Sequence, residues 1–132
     1  MLIEFHLDGR SGVPAYLQLV QQVRQAVRLG ILRPGDQLPT VKEVVATLTI
    51  NPNTVLHAYR QLDLEGLVEG RRGVGTFVAT GSAPLPVDDL KGLRSSLDRW
   101  VARARAAGLD DDGIRAVFAD AVRPEPMSRV VA

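Results

Sequence analysis

The stretch that decides the fold is 51-NPNTVLHAYRQLDLEGLVEGRRGVGTFVA-79. Asn51 suits an N-cap and Pro52 a first helical residue, because proline there lacks only an N–H the helix could not pair. Val55, Tyr59 and Leu62 then recur at helical spacing, Ala58 allows close approach, and Gly66 ends the element. LVEG and TFVA follow at once as two short strands around Arg71-Arg72-Gly73-Val74-Gly75, a hairpin signal with glycine in the turn. A helix tied this closely to a doubly basic turn admits three readings. The glycines cradle a nucleotide phosphate, or they merely tighten a hairpin, or helix and turn grip one large anion from two sides.

Upstream, Thr40 stands three residues before Glu43, the spacing of a capping box. Val41, Val44, Val45 and Leu48 behind it make one apolar stripe, which predicts a helix of about two turns. The short break Thr49-Ile50 separates it from the helix opened by Asn51, so the two form a helix-turn-helix pair. Before the loop ILRPGDQLPT, a helix is predicted over 14–29, with Pro14 in its first turn and Gly30 at its end. Tyr16, Val20, Val23 and Val27 form its core-facing stripe, and residues 2–7, LIEFHL, have strand propensity ahead of the turn-like DGRSG. Three helices and a hairpin, in this order, predict a winged helix-turn-helix domain over residues 1–80.

From Gly81 the composition shifts to GSAPLPVDD, which reads as a linker. Leu90, Leu93, Leu97, Trp100, Ala104 and Ala107 then alternate spacings of three and four, an a/d seam that packs one helix against another. Gly108 closes this helix. Asp110 to Asp112 open a last one carrying Ile114, Val117, Phe118, Ala121 and Val122, and Pro124 and Pro126 stop it. Residues 81–132 are therefore predicted to be a linker and a two-helix dimerisation tail, with Leu90, Leu93, Leu97, Trp100, Val101, Ala104 and Phe118 as the contact residues. The expected fold is mainly α with a small β-hairpin.

A chain of 132 residues with 45% hydrophobic content can bury one small core. Its lack of cysteine excludes disulfides and thiolate metal sites and fits a reducing compartment. The N-terminus MLIEFHLDGR lacks the long apolar run of a signal peptide or a membrane span, so a soluble cytoplasmic protein without a membrane partner is expected. The net charge of +1 is small for a nucleic-acid binder, and residues 1–80 hold eight Lys and Arg against seven Asp and Glu. Any basic surface must therefore be assembled by folding.

The phosphate-cradle reading fails on chemistry. A Walker loop needs Gly-Lys-Ser/Thr opening a helix, and here no lysine is present and Thr76-Phe77-Val78 leads into a strand. Catalytic and metal sites fare no better: His6 and His57 are the only histidines, and neither has a carboxylate pair at helical spacing. Asp110–Asp112 suit a helix N-terminus, where the dipole favours carboxylates, better than a magnesium site. No cofactor, metal or catalytic residue is expected. The remaining reading is DNA. The start of a recognition helix faces base edges, which here means Asn51, Asn53 and Thr54, with His57 one turn on. Arg71 and Arg72 on a turn free of Cβ bulk can reach a phosphate or the narrow minor groove. Trp100, Tyr16 and Tyr59 fall on apolar stripes and read as core or contact residues.

The run Val13–Ala79, PAYLQLVQQVRQAVRLGILRPGDQLPTVKEVV followed by NPNTVLHAYRQLDLEGLVEGRRGVGTFV, resembles the DNA-binding domain of the GntR family of bacterial transcriptional regulators. The short two-helix tail is similar to that of the YtrA-type subfamily, where the tail serves dimerisation. The resemblance implies a phosphate contact at Thr40, a DNA contact from Lys42 where arginine is usual, and base and phosphate contacts at Asn53 and Thr54. It also implies a wing tip at Arg72, Gly73 and Gly75, with Thr76 beside it, that enters the minor groove. His57 stands where arginine is common, which implies a weaker contact there. Lys42 loses the bidentate geometry of arginine, and the turn lacks the glycine often found at Thr49.

The expectation is a homodimeric, sequence-specific regulator, a repressor, acting on a pseudo-palindromic operator in double-stranded DNA. A small-molecule effector of unspecified identity is a further partner, although no polar constellation in the sequence supplies its site. The competing reading is a winged-helix module that docks protein, a role that near-neutral charge permits and that salt would not weaken steeply.

Overall fold

The computed structural model describes residues 3–81 and 88–124; the stretch 82–87 of the expected linker and the tail from 125, with Pro126, lie outside the described residues. In chain order the elements are α1 (Ala15–Arg28), α2 (Val41–Leu48), α3 (Pro52–Leu64), β1 (Val68–Arg71), β2 (Gly75–Val78), α4 (Leu90–Ala106) and α5 (Asp111–Ala121). They form a winged helix-turn-helix followed by two further helices. The chain divides into two compact units, Met1–Pro86 and Val87–Ala132.

Local chemistry starts α2 and α3 where the sequence suggests. The Thr40 hydroxyl accepts from the Glu43 N–H at 3.1 Å, and the Asn51 carboxamide oxygen accepts from the Asn53 N–H at 2.8 Å. Both satisfy first-turn donors that have no partner within the helix. Leu19, Val20, Val23, Ala26 and Val27 then bury one face of α1 against Val55, Ala58, Tyr59 and Leu62 of α3, with Val44 of α2 and Val68 and Val78 of the hairpin closing the core. On the rim, the Arg24 guanidinium grips the Glu65 carboxylate at 2.7 and 2.6 Å, tying α1 to the C-terminal end of α3. That hydrogen bond holds Glu65 below its usual pKa and Arg24 above it. The pair is partly exposed, so its contribution stays within about 1 kcal/mol.

The strand propensity of the N-terminal run is not realised. Residues 3–7 bury Ile3 and Phe5, yet they form no ladder, because the neighbouring element is a helix. Gln22 of α1 stands in for a strand: its Oε1 accepts from the His6 N–H at 3.1 Å and its Nε2 donates to the His6 carbonyl at 2.7 Å. Gln18, one turn earlier, does the same for Asp8.

The turn between α2 and α3 carries the strain that its missing glycine implies. Thr49 sits at φ 54°, ψ 51°, the left-handed region that a β-branched residue adopts at a cost. Relief of that strain, partly offset by the greater freedom of glycine in the unfolded chain, should make Thr49→Gly more stable by roughly 1 kcal/mol. Chemical denaturation would show a raised midpoint at constant slope; a lower midpoint would contradict the strain.

In the second unit Gly108 turns the chain at φ 104°, and Asp110 caps α5 by accepting from the Gly113 N–H at 2.7 Å. Asp111 pairs with Arg105 and Asp112 with Arg115. The acidic triplet thus serves the helix start, as its dipole favours. Ala104 is buried, while Leu90, Trp100, Val101 and Ile114 are half-buried. Leu93 remains 57% exposed, Phe118 46% and Val122 62%. Two helices cover only one side of each other, and this unit leaves an apolar face in water.

Candidate nucleic-acid interface

The outward face of α3 presents Asn53 and His57, both exposed, with Thr54 half-buried beside them. Asn53 has its backbone N–H held by the Asn51 cap, and among the described residues its side chain has no hydrogen-bond partner. Asn51 is different: its oxygen is spent on capping, so it shapes the start of the helix. Arg60 lies on the same face, exposed, four and seven residues beyond Leu56 and Asn53. Sequence reasoning passed over it although the spacing of Asn53, His57 and Arg60 is that of one helical stripe.

Beside this row a shallow groove is lined by Pro14, Ala15 and Tyr16 of the start of α1 and by Asn51, Asn53, Thr54 and His57. Tyr16 makes two contacts. It packs against the core as its stripe suggests, but its ring also stacks on the His57 imidazole, with centroids 3.8 Å apart and planes 14° from parallel. No local pattern announces a contact between residues so far apart in sequence.

The wing pairs Val68 with Val78, Glu69 with Phe77, Gly70 with Thr76 and Arg71 with Gly75. Each strand is thus shifted by one residue from LVEG and TFVA, and Arg71 belongs to β1 and not to the turn. The shift separates two arginines that look alike in sequence. Arg71 lies over the Phe77 ring, 4.3 Å from its centroid, and pairs with Glu69 at 3.4 Å. Arg72 is exposed at the tip, and among the described residues its guanidinium has no ion-pair partner. Gly73 takes φ 75° in the turn. Gly75 is required by its φ of 145°, a backbone conformation that other residues rarely adopt.

Gln37 belongs to a loop that joins the wing to the helices. Gly35 N–H donates to the Val78 carbonyl, Val78 N–H to Asp36 and Leu38 N–H to Thr76, at 2.8–2.9 Å, which flanks β2 on the side away from β1. Two residues later the Pro39 carbonyl accepts from the buried Tyr59 hydroxyl of α3 at 2.6 Å. Burial, with the Glu43 charge adding to it, pushes the Tyr59 phenol above its ordinary pKa and keeps it a donor. The next residue, Thr40, caps α2. One loop is therefore pinned to wing, α3 and α2 together. Gln37 Nε2 also reaches the Val74 carbonyl at 3.4 Å, so the wing tip is linked through Gln37 to the loop that leads, three residues on, into the cap of α2.

At that start Lys42 is exposed, and the Thr40 hydroxyl, besides capping, donates to Glu43 Oε1 at 3.0 Å. Thr76 is half-buried in β2 with its carbonyl engaged by Leu38. The candidate cations are thus Lys42, Arg60, Arg71 and Arg72, brought onto one unit from three elements and a turn. No helix among the described residues is long and apolar enough to cross a membrane.

A helix-turn-helix with its reading row exposed and a basic wing linked to it defines a winged-helix regulator of the DNA-binding kind. The chain belongs to the GntR family: the pattern for bacterial regulatory proteins of the gntR family matches residues 15–78. It is 35% identical over 105 residues to the HTH-type transcriptional repressor YtrA of Bacillus subtilis (strain 168), covering 79% of this chain and 81% of that protein. The structure of YtrA from Sulfolobus acidocaldarius, a GntR-family transcription factor, superposes with a TM-score of 0.52 at 29% identity, over 89% of this chain and 96% of that one. The DNA-binding domain of AraR, solved in complex with operator ORX1, matches with a TM-score of 0.52 at 26% identity, over 58% of this chain and 96% of that one.

Proposed function

We propose that this regulator acts in the cytoplasm as a homodimeric repressor on a pseudo-palindromic operator and has no catalytic role. The observation that carries the reading is the loop 35–40, which holds the wing, the start of α2 and α3 as one unit while Asn53, His57 and Arg72 stay exposed. Asn53 and His57 read base edges from the major groove, Thr54, Thr40 and Lys42 hold phosphates, and Arg72 reaches the flanking minor groove. The apolar face left by Leu93, Leu97, Phe118 and their half-buried neighbours Leu90, Trp100 and Val101 is covered by a second copy. The dimer then sets the half-site spacing, about one helical turn of DNA.

Selection of bound sequences from random duplex DNA tests the reading, with sedimentation of the free protein beside it. A pseudo-palindrome bound by a dimer is the expected result; a monomer indifferent to every duplex and to salt would leave the protein-docking alternative. The wing is tested separately. Arg72→Ala should weaken binding across all sequences and lower the slope of log affinity against log salt by about one, the loss of a single cation from the duplex. An unchanged slope would remove Arg72 from the interface.

A further inference from the structure

We infer that Tyr16 is a specificity-positioning residue: through its stack on His57 it holds the imidazole in the plane from which α3 reads DNA. The inference rests on α3 being the DNA reader. An exposed histidine on a helix ordinarily samples several rotamers, and ordering it on a ligand costs side-chain entropy. Here the His57 ring lies 3.8 Å from the Tyr16 ring and 14° from parallel with it. Tyr16 is half-buried and packs against the core, so it is the fixed member of the pair and His57 the exposed one. The stacked pair also lines the groove between the start of α1 and the start of α3, together with Asn53 and Thr54. A ring held in one plane presents its nitrogens in fixed directions, whereas a free ring averages them. Specificity from His57 therefore depends on a residue of a different helix that need not touch DNA.

The test measures binding of the full chain to its selected duplex and to duplexes altered at each position, with thermal melting as a control. His57→Ala identifies the position that His57 reads. Tyr16→Leu, which keeps an apolar contact with the core, should reduce discrimination at that same position by roughly 2- to 10-fold, the worth of an aromatic pair. Tyr16→Phe keeps the stack and should keep the preference. The double variant Tyr16→Leu/His57→Ala should be no less selective than His57→Ala alone. In the free protein, NMR should show the His57 ring protons shifted upfield by the Tyr16 ring current and released in Tyr16→Leu, a readout that holds whatever the variants do to DNA. Uniform weakening on all duplexes, effects of the two substitutions that add, loss of preference in Tyr16→Phe, or an absent ring-current shift would each overturn the inference. A wild-type chain that selects a sequence while Tyr16→Leu leaves it unchanged overturns the positioning role alone. A wild-type chain that selects nothing overturns the DNA reading as well.

Discussion

Leu62→Ala is expected to lower the free energy of unfolding by about 2–5 kcal/mol, the largest single effect anticipated for this protein. Leu62 is wholly buried, and with Val55, Ala58 and Tyr59 it forms the inner face of α3 against α1. Truncation removes apolar surface from the core of the first unit and leaves a void that neighbours held by helix packing cannot fill. In a domain of this size each kcal/mol moves the melting temperature by about 4–8 °C, so a drop of roughly 8 °C or more should be seen. Denaturant titration should show the midpoint falling at constant slope. Because Leu62 lies opposite the exposed row, the folded fraction should still bind the selected duplex with its normal base preference. Lost preference with intact stability would mean that the inner and outer faces of α3 are misassigned.

Asn53→Ala is expected to act in the opposite way, relaxing discrimination at one base pair by about 1–3 kcal/mol while stability changes within roughly 0.5 kcal/mol. The side chain is exposed, and the fold asks nothing of it: the first turn is capped by Asn51 through the backbone N–H of Asn53, which alanine retains. A carboxamide both donates and accepts at an adenine edge, and alanine does neither. Binding to a panel of singly altered duplexes separates the outcomes. Relaxed preference at one position supports base reading, whereas uniform weakening reassigns Asn53 to the phosphate backbone.

The contrast between Asn51 and Asn53 shows how much of the site was legible in the sequence. Both are asparagines at the start of α3, and the sequence offered both as readers. Capping is an interaction across two or three residues, so the role of Asn51 as cap could be foreseen, as could that of Thr40. The two wing arginines could not be sorted in this way. The ladder runs one residue further towards the turn than LVEG and TFVA, and that extension places Arg71 in β1 over Phe77 while Arg72 stays at the tip. Arg60 was within reach of the helical period and was missed.

By itself the sequence determined the order of the helices, the capped starts of α2 and α3, the presence of a hairpin and the apolar spacing along the tail. These follow from interactions between near neighbours in the chain, and near neighbours are what a sequence displays. Tertiary structure decided the stack of Tyr16 on His57, the loop that Tyr59 and β2 hold in common, and the replacement of an N-terminal strand by glutamines of α1. Those contacts join residues 10 to 43 positions apart, and folding selects them by which surfaces meet once the core has closed.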